Sequence, residues 1–253
     1  MERVTEVYPR AREAGTPLGL RVGRQVTALR LGADLDDAGK PAGLESQARS
    51  VLQAMKELAE QSGGGLENIA KATAYVTSEA HREPVNGLWW EELFPDPMNR
   101  PAYKVLLSPL PTGRLVELDV FAVLGATRRR IDLPGVPARD PTVEIGGMVF
   151  TSRIHPTLPF AEGEIAQGGM KEQARQAFTN ALGLLSLAGG KPRHVVRFSS
   201  FGRTPDHAGP TREALAEVFP EEADRPPLQT LTNFIPAKFD VMVEMAATIG
   251  GSE

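Results

Sequence analysis

The chain has no cysteine, which removes disulfides, thiolate nucleophiles and cysteine-ligated metals. Histidine is scarce: His81, His155, His194 and His207 show none of the spacings of metal ligands, so metal catalysis is not expected. An excess of charge of one sign is also lacking. A formal net charge of −4 over 253 residues offers no general field to a polyanion, and no nucleic-acid partner is expected. The basic run Arg128-Arg129-Arg130 reads as a solvated linker. No apolar run approaches the length of a bilayer span, so no membrane partner is expected. Met1-Glu2-Arg3-Val4 lacks the charged-then-apolar order of a secretory leader, which sets the expected location in the cytoplasm. There is no Gly-x-Ser-x-Gly elbow, Walker loop or dinucleotide fingerprint.

What is present is present twice. Gln47-Ala48-Arg49 returns as Gln173-Ala174-Arg175, and Gly63-Gly64 as Gly189-Gly190. Phe94-Pro95 returns as Phe219-Pro220, Arg100-Pro101 as Arg225-Pro226, and Val116-Glu117 as Val243-Glu244, each about 125 residues later. A near-constant offset across unrelated residue types marks two copies of one folding unit, and the period suits a small domain rather than a solenoid repeat. At 41% hydrophobic residues the chain has enough apolar material for two cores.

Leu44, Ala48, Val51, Leu52, Met55, Leu58 and Ala59 fall on one stripe at helical spacing, which predicts a helix over 44–61 that stops at Ser62-Gly63-Gly64. Met170, Ala174, Ala177, Phe178, Ala181, Leu182 and Leu185 repeat the pattern. Second helices are expected over 83–93 and 211–218. Strand-like segments flank them at 25–31, 69–76, 103–107 and 114–123, and again at 148–154, 195–201, 228–232 and 240–248. Each copy therefore reads as an α+β unit: a hairpin, a helix, a strand, a second helix and two closing strands, with a mixed sheet covered by helices on one face. Pro134, Pro137 and Pro141 punctuate the join. The expected organisation is a first domain over 1–127, a linker over 128–140 and a second domain over 141–253.

This order of elements and motifs resembles the RidA family, also called YjgF or endoribonuclease L-PSP-like. The first copy carries the resemblance in Val22-Gly23, Gln47-Ala48-Arg49, Val85-Asn86, Phe94-Pro95 and Leu110-Pro111 through Leu115-Val116-Glu117. The second carries it in Ile145-Gly146, Phe150-Thr151-Ser152, Gln173-Ala174-Arg175, Phe219-Pro220 and Val243-Glu244. The resemblance implies two tandem chorismate-mutase-like domains and assembly into a homo-oligomer, usually a trimer, with ligand clefts between neighbouring domains. It also implies chemistry without a cofactor: hydrolysis of reactive 2-imines or 2-enamines to 2-keto acids and ammonia. In that chemistry an arginine holds the substrate carboxylate and a glutamate on the final strand positions or activates water. Both roles are physically sound, since a guanidinium fork matches a carboxylate and a carboxylate relays protons.

Strand alternation turns Glu117 and Glu244 away from the apolar rows beside them, and these are the candidate catalytic residues. The family's arginine lies at the start of the preceding strand, where this chain has Pro101-Ala102-Tyr103-Lys104 and Pro226-Pro227-Leu228-Gln229. Ala102 or Tyr103 takes its place in the first copy, and Leu228 or Gln229 in the second. Arg30 and Arg153 align instead with the glycine of the family's Thr-Ser-Gly-Gln segment, beside the cleft. They are candidates to hold a ligand carboxylate, or to neutralise Glu117 and Glu244 in a closed pocket. Asn86 and Ser152 match polar cleft positions, and Arg100 and Arg225 complete the candidate binding set. No tyrosine accompanies Gly15-Thr16-Pro17, where the family commonly has one. Three functional readings follow: a deaminase of small imino acids, a non-catalytic small-anion-binding or assembly protein, and an endoribonuclease.

Overall fold

The computed structural model describes residues 4–8, 17–32, 42–136, 141–161 and 163–249. Met1-Glu2-Arg3, Gly15-Thr16 and residues 137–140 of the expected linker lie outside the described residues. The chain divides into two compact units, Met1–Arg128 and Arg129–Glu253.

In the first unit the stripe read from sequence becomes α1 (Leu44–Gln61), whose buried residues are Gln47, Ala48, Val51, Leu52, Met55, Leu58 and Ala59. Burial of each of the larger side chains contributes roughly 1.5–3 kcal/mol. The helix ends where Gly63 adopts φ +87, a conformation that costs glycine nothing. The strands are β1 (Val4–Val7), β2 (Gly19–Val22), β3 (Gln25–Gly32), β4 (Ile69–Val76), β5 (Ala102–Leu107) and β6 (Val116–Val123). They form one sheet in the order β1-β2-β3-β6-β4-β5, antiparallel except for the parallel pair β4/β5. A second helix, α2 (Arg82–Leu88), widens into a π-turn over Trp89–Leu93. That turn delivers Trp89 to the core, stacked on Tyr103 at 4.3 Å and beside Phe94 at 4.9 Å.

The second unit repeats this plan. Its strands are β7 (Arg129–Ile131), β8 (Thr142–Ile145), β9 (Met148–Phe150), β10 (Val195–Gly202), β11 (Leu228–Thr232) and β12 (Met242–Thr248). Read from the β7 edge, the order β7-β8-β9-β12-β10-β11 is the first sheet's order again. The helices are α3 (Gly169–Leu187) and α4 (Ala208–Val218), and the core gathers around Phe178, Phe198 and Phe219.

The repeated Gln-Ala-Arg motif has a structural explanation. Gln47 donates from Nε2 to the carbonyls of Ala42 and Gly113, at 2.8 and 2.9 Å, and accepts from Leu115 N–H at 2.8 Å. Gln173 accepts from Asp240 N–H at 2.8 Å and donates to Asp240 Oδ2 at 3.1 Å. Each glutamine is buried and ties its helix to the segment that leads into the last strand. The partnered arginines stay outside: Arg49 pairs with Glu45 and Glu92, and Arg175 with Glu172.

Two sequence expectations are corrected. The edge strands β1 and β7 were not foreseen, and β7 falls inside the expected linker. The run Arg128–Arg130 is not a solvated connection. Arg128 is buried and donates to the carbonyls of Leu66, Ile69 and Asn99, while Arg129 and Arg130 lie in β7, paired with Glu144 and Asp132 respectively. Three backbone carbonyls and Asn99 Oδ1 accept from the two Nη groups of Arg128, while its Nε is buried without a partner among the described residues, so the charge is held within the first unit's fold.

Candidate functional site

Both sheets carry their helices on one face, and the polar candidates gather on the other. In the first unit the β3/β6 register slips between Ala28, opposite Val120, and Leu31, opposite Leu118. Leu29 and Arg30 therefore face the single residue Asp119, as in a β-bulge. Arg30 takes φ +57, a strained conformation for a residue with a Cβ, at a cost on the order of 1 kcal/mol. Its N–H donates to Asp119 Oδ1 at 2.8 Å, and Tyr75 Oη–H donates to Oδ2 at 2.7 Å. The Arg30 guanidinium lies 3.6 Å over the Tyr75 ring.

Two residues along β6, Glu117 is 3% exposed and bridges two arginines. Arg114 Nη1 is 2.7 Å from Oε1, and Arg30 Nη1 is 3.4 Å from Oε2. Gly32 sits opposite Glu117, and a methyl group there would stand 2.5 Å from the Arg114 guanidinium. Glycine at 32 is what lets Arg114 reach.

The second unit has a bulge at the same register, without the positive φ of Arg30. Thr151 bonds to Met245, and Ile154 exchanges hydrogen bonds with Val243 at 2.6 and 3.2 Å. Ser152 and Arg153 thus face Glu244. On the other side Ser199 is opposite Glu244, as Thr73 is opposite Asp119. Glu244, Ser152 and Ser199 are all buried. Arg153 Nη1 donates to Phe234 O at 2.7 Å, in the loop after β11, and its guanidinium lies 5.9 Å from the Phe201 ring centre.

These registers correct one equivalence. Glu244 occupies the place of Asp119, and the counterpart of Glu117 is Met242: Glu117 is opposite Tyr75, and Met242 is opposite Phe201. The shared Val-Glu dipeptide is a coincidence two residues out of register. The clue was already in the sequence. Phe94 to Phe219 and Arg100 to Arg225 are each shifted by 125 residues, and the same shift carries Asp119 onto Glu244.

The remaining candidates separate. Arg100 and Arg225 donate from Nε to the carbonyls of Phe94 and Phe219, at 3.0 and 2.7 Å, so both brace the end of the second helix and do not join the carboxylates. Asn86 is buried on α2, 3.5 Å from Glu83, and its counterpart Thr211 bonds to its own helix at His207 O. Among the four alternatives for the family arginine, Tyr103 belongs to the first unit's core and Leu228 packs against the second unit's own core. The residue of β5 that shares a row with Thr73 and Asp119 is Lys104, buried and not foreseen, and the corresponding residue of β11 is Gln229. Its signal was an ionisable side chain in an otherwise apolar strand, on the face opposite Tyr103 and Val105.

Where the first unit has Gly32, Arg114 and Glu117, the second has His155, Phe239 and Met242. The His155 ring lies 4.5 Å from that of Phe239. Burial, followed by the charges of Lys238 and Arg153, pushes the His155 imidazole down to about 4, so it is neutral at physiological pH. Among the described residues, no three histidines, aspartates or glutamates are placed to hold a metal ion, and no helix is long and apolar enough to cross a membrane.

Residues 139–249 match the family model described as Endoribonuclease L-PSP, which spans the second unit. Among solved structures the chain is similar to RidA from the Antarctic bacterium Psychrobacter sp., at 24% identity over 48% of this chain and 100% of that one, with a TM-score of 0.43. It is similar to E. coli TdcF, solved with bound serine, at 23% identity over 47% and 96% of the two chains, with a TM-score of 0.41. It is also similar to a member of the YjgF/YER057c/UK114 family from Mycobacterium tuberculosis, at 21% identity over 48% and 100%, with a TM-score of 0.39.

Proposed function

We propose that the second unit, whose residues 139–249 match the Endoribonuclease L-PSP family model, binds a small 2-imino or 2-enamino carboxylate and hydrolyses it to the 2-keto acid and ammonia. The observation that carries this reading is the make-up of the second bulge. Arg153 and Ser152 face the buried Glu244, and Met242 and Phe201 replace the glutamate and the tyrosine that engage the same groups in the first unit. Arg153 holds the ligand carboxylate and Glu244 orients a water molecule toward the imine carbon. Water oxygen adds to that carbon and the carbon–nitrogen bond of the resulting carbinolamine breaks. Ammonia leaves with the proton that Glu244 relays. No cofactor takes part, and the protein works as a cytoplasmic homo-oligomer with its two compact units acting as separate domains.

The first unit supports a second reading, a non-catalytic domain serving assembly. Glu117 already lies between Arg114 and Arg30, which occupies both guanidiniums with an internal carboxylate. The endoribonuclease reading draws no electrostatic support from a net charge of −4.

The test is keto acid release from freshly generated 2-iminopropionate and 2-iminobutyrate. The expected result is acceleration that disappears in Glu244→Ala and Arg153→Ala and survives in Glu117→Ala and Arg30→Ala. No acceleration by the intact protein would remove the deaminase reading for these substrates. Loss in the first-unit variants alone would move the site to the other unit.

A further inference from the structure

The pair His155 and Phe239 has no equivalent in the first unit, and it lies beside the arginine just assigned to the ligand. Ile154 belongs to the apolar core, so its neighbours Arg153 and His155 point to the opposite, helix-free side. Phe239 is buried and serves as a platform: the His155 ring is 4.5 Å from its centre on one contact and Lys238 Nζ is 4.9 Å from it on another. A guanidinium, an ammonium and an imidazole thus converge on one corner of the second unit.

The anionic groups nearby are largely spoken for. Asp240, next to Phe239 in sequence, is held by Gln173 at 3.1 Å and by Arg203 at 3.4 Å. The helix packed behind His155 contributes neutral amides: Asn180 donates to His155 O at 3.1 Å and accepts from Gln176 at 2.9 Å. Glu244 is the carboxylate across the bulge. Among the described residues, none hydrogen-bonds to the imidazole ring, so its two nitrogens are available to a ligand. A neutral imidazole between two cations is the group whose protonation an incoming anion changes most.

We propose that His155, with Arg153 and Lys238, forms an anion-responsive subsite of the second unit, in which a bound small carboxylate draws a proton from solvent onto the imidazole and receives a hydrogen bond from it. The inference rests on the reading that this unit takes a carboxylate. The sole covalent change is the N–H bond formed with a solvent proton, and it reverses when the anion leaves. Linkage makes the effect reciprocal: if the anion raises the proton affinity of His155, lowering the pH must tighten the anion. The empty site starts from an imidazole held near 4.

The experiment uses the full chain and pyruvate as probe. Side-chain 15N spectra of the histidines would be followed through a pH titration with and without saturating pyruvate, with His155 assigned from His155→Phe. Calorimetry would give the pyruvate affinity of both proteins from pH 7 to pH 5. The expected result is an upward shift of His155 by about two pH units, from about 4 toward about 6, together with roughly tenfold tightening between pH 7 and pH 5, absent in His155→Phe. Pyruvate that perturbs Arg153 but leaves the His155 titration unmoved, with the same pH dependence in the variant, would overturn the inference and leave the carboxylate reading standing. Failure of pyruvate to bind at all would overturn both. The titration needs no substitution beyond assignment, so a poorly folded variant does not blunt it.

Discussion

The two units share a topology, a bulge and a set of strand registers, yet they fill the same three positions with opposite chemistry. In the first, Gly32 makes room for Arg114, and Glu117 closes an ion-paired bridge to Arg30. In the second, His155 stacks on Phe239, and Met242 stands where that glutamate was. Each set is consistent only as a set. Arginine at 239 would need the space His155 fills, and glutamate without its arginines would be a buried, uncompensated charge. The difference teaches that the fold tolerates either a charged or an aromatic corner there, and that the choice decides what the neighbouring bulge arginine has to face.

The sharpest way to break the comparison is to remove the bulge carboxylate from each unit in turn. Glu244→Ala is expected to lower keto acid release by roughly 10²–10⁴-fold, the usual worth of a positioned acid–base group. Asp119→Ala is expected to leave it within about twofold, with thermal melting confirming that both variants fold. Equal losses would erase the distinction between the units.

Next in size is the ion-paired bridge. Removing both partners in Arg30→Ala/Arg114→Ala leaves Glu117 without its counter-ions and, with both guanidiniums part-exposed, is expected to cost about 1–3 kcal/mol in denaturant unfolding. Glu117→Met, which installs the second unit's residue, is expected to change stability by less than about 1 kcal/mol, because both guanidiniums are partly exposed and turn to water. A Glu117→Met cost as large as that of the double variant would mean the carboxylate is itself a structural keystone.

A comparable effect, confined to acid, belongs to His155. Its folded imidazole titrates at about 4 against 6.5 in the unfolded chain, so the unfolded state takes up the proton first as the pH falls. Stability is therefore complete above about pH 6.5 and declines between there and about pH 4, by on the order of 3 kcal/mol. His155→Phe is expected to flatten that part of the stability–pH curve, and an unchanged slope would assign it to other groups. The smallest expected contrast is symmetrical. Gln47→Ala and Gln173→Ala should each cost about 1 kcal/mol, since each leaves a part-buried backbone N–H without its protein acceptor. A marked inequality between them would show that the duplicated fold is not held in the same way in both halves.

Much of the architecture was legible in the chain. The stripe from Leu44 to Ala59 sits on a helix with the expected bounds, and the constant offset between halves is the offset between equivalent strands. The edge strands escaped notice because β7 is three residues long and carries two arginines, which periodicity cannot distinguish from a loop. At the site, alternation along β6 puts Glu117 on the helix-free face, and Asp119, two residues on, shares it. The bulge that sets Arg30 against Asp119 was not readable, since a one-residue slip leaves no mark in composition. The pairing of Glu117 with Glu244 failed for a different reason. The Val-Glu dipeptides at 116–117 and 243–244 lie 127 residues apart, two more than the shift shared by the Phe-Pro and Arg-Pro motifs.

The glutamine at the start of each long helix has one more consequence. Gln47 grips Gly113 O and Leu115 N–H, and Gln173 grips Asp240 N–H, so the hold on the last strand is made mainly through main-chain atoms. A clamp that reads backbone is indifferent to what the loop displays. Arginine in one copy and phenylalanine in the other are presented from the same anchored position without disturbing the strand that follows. The loop is thus an interchangeable cassette on a fixed mount, and new ligand chemistry can be written into either half of this protein while its scaffold stays as it is.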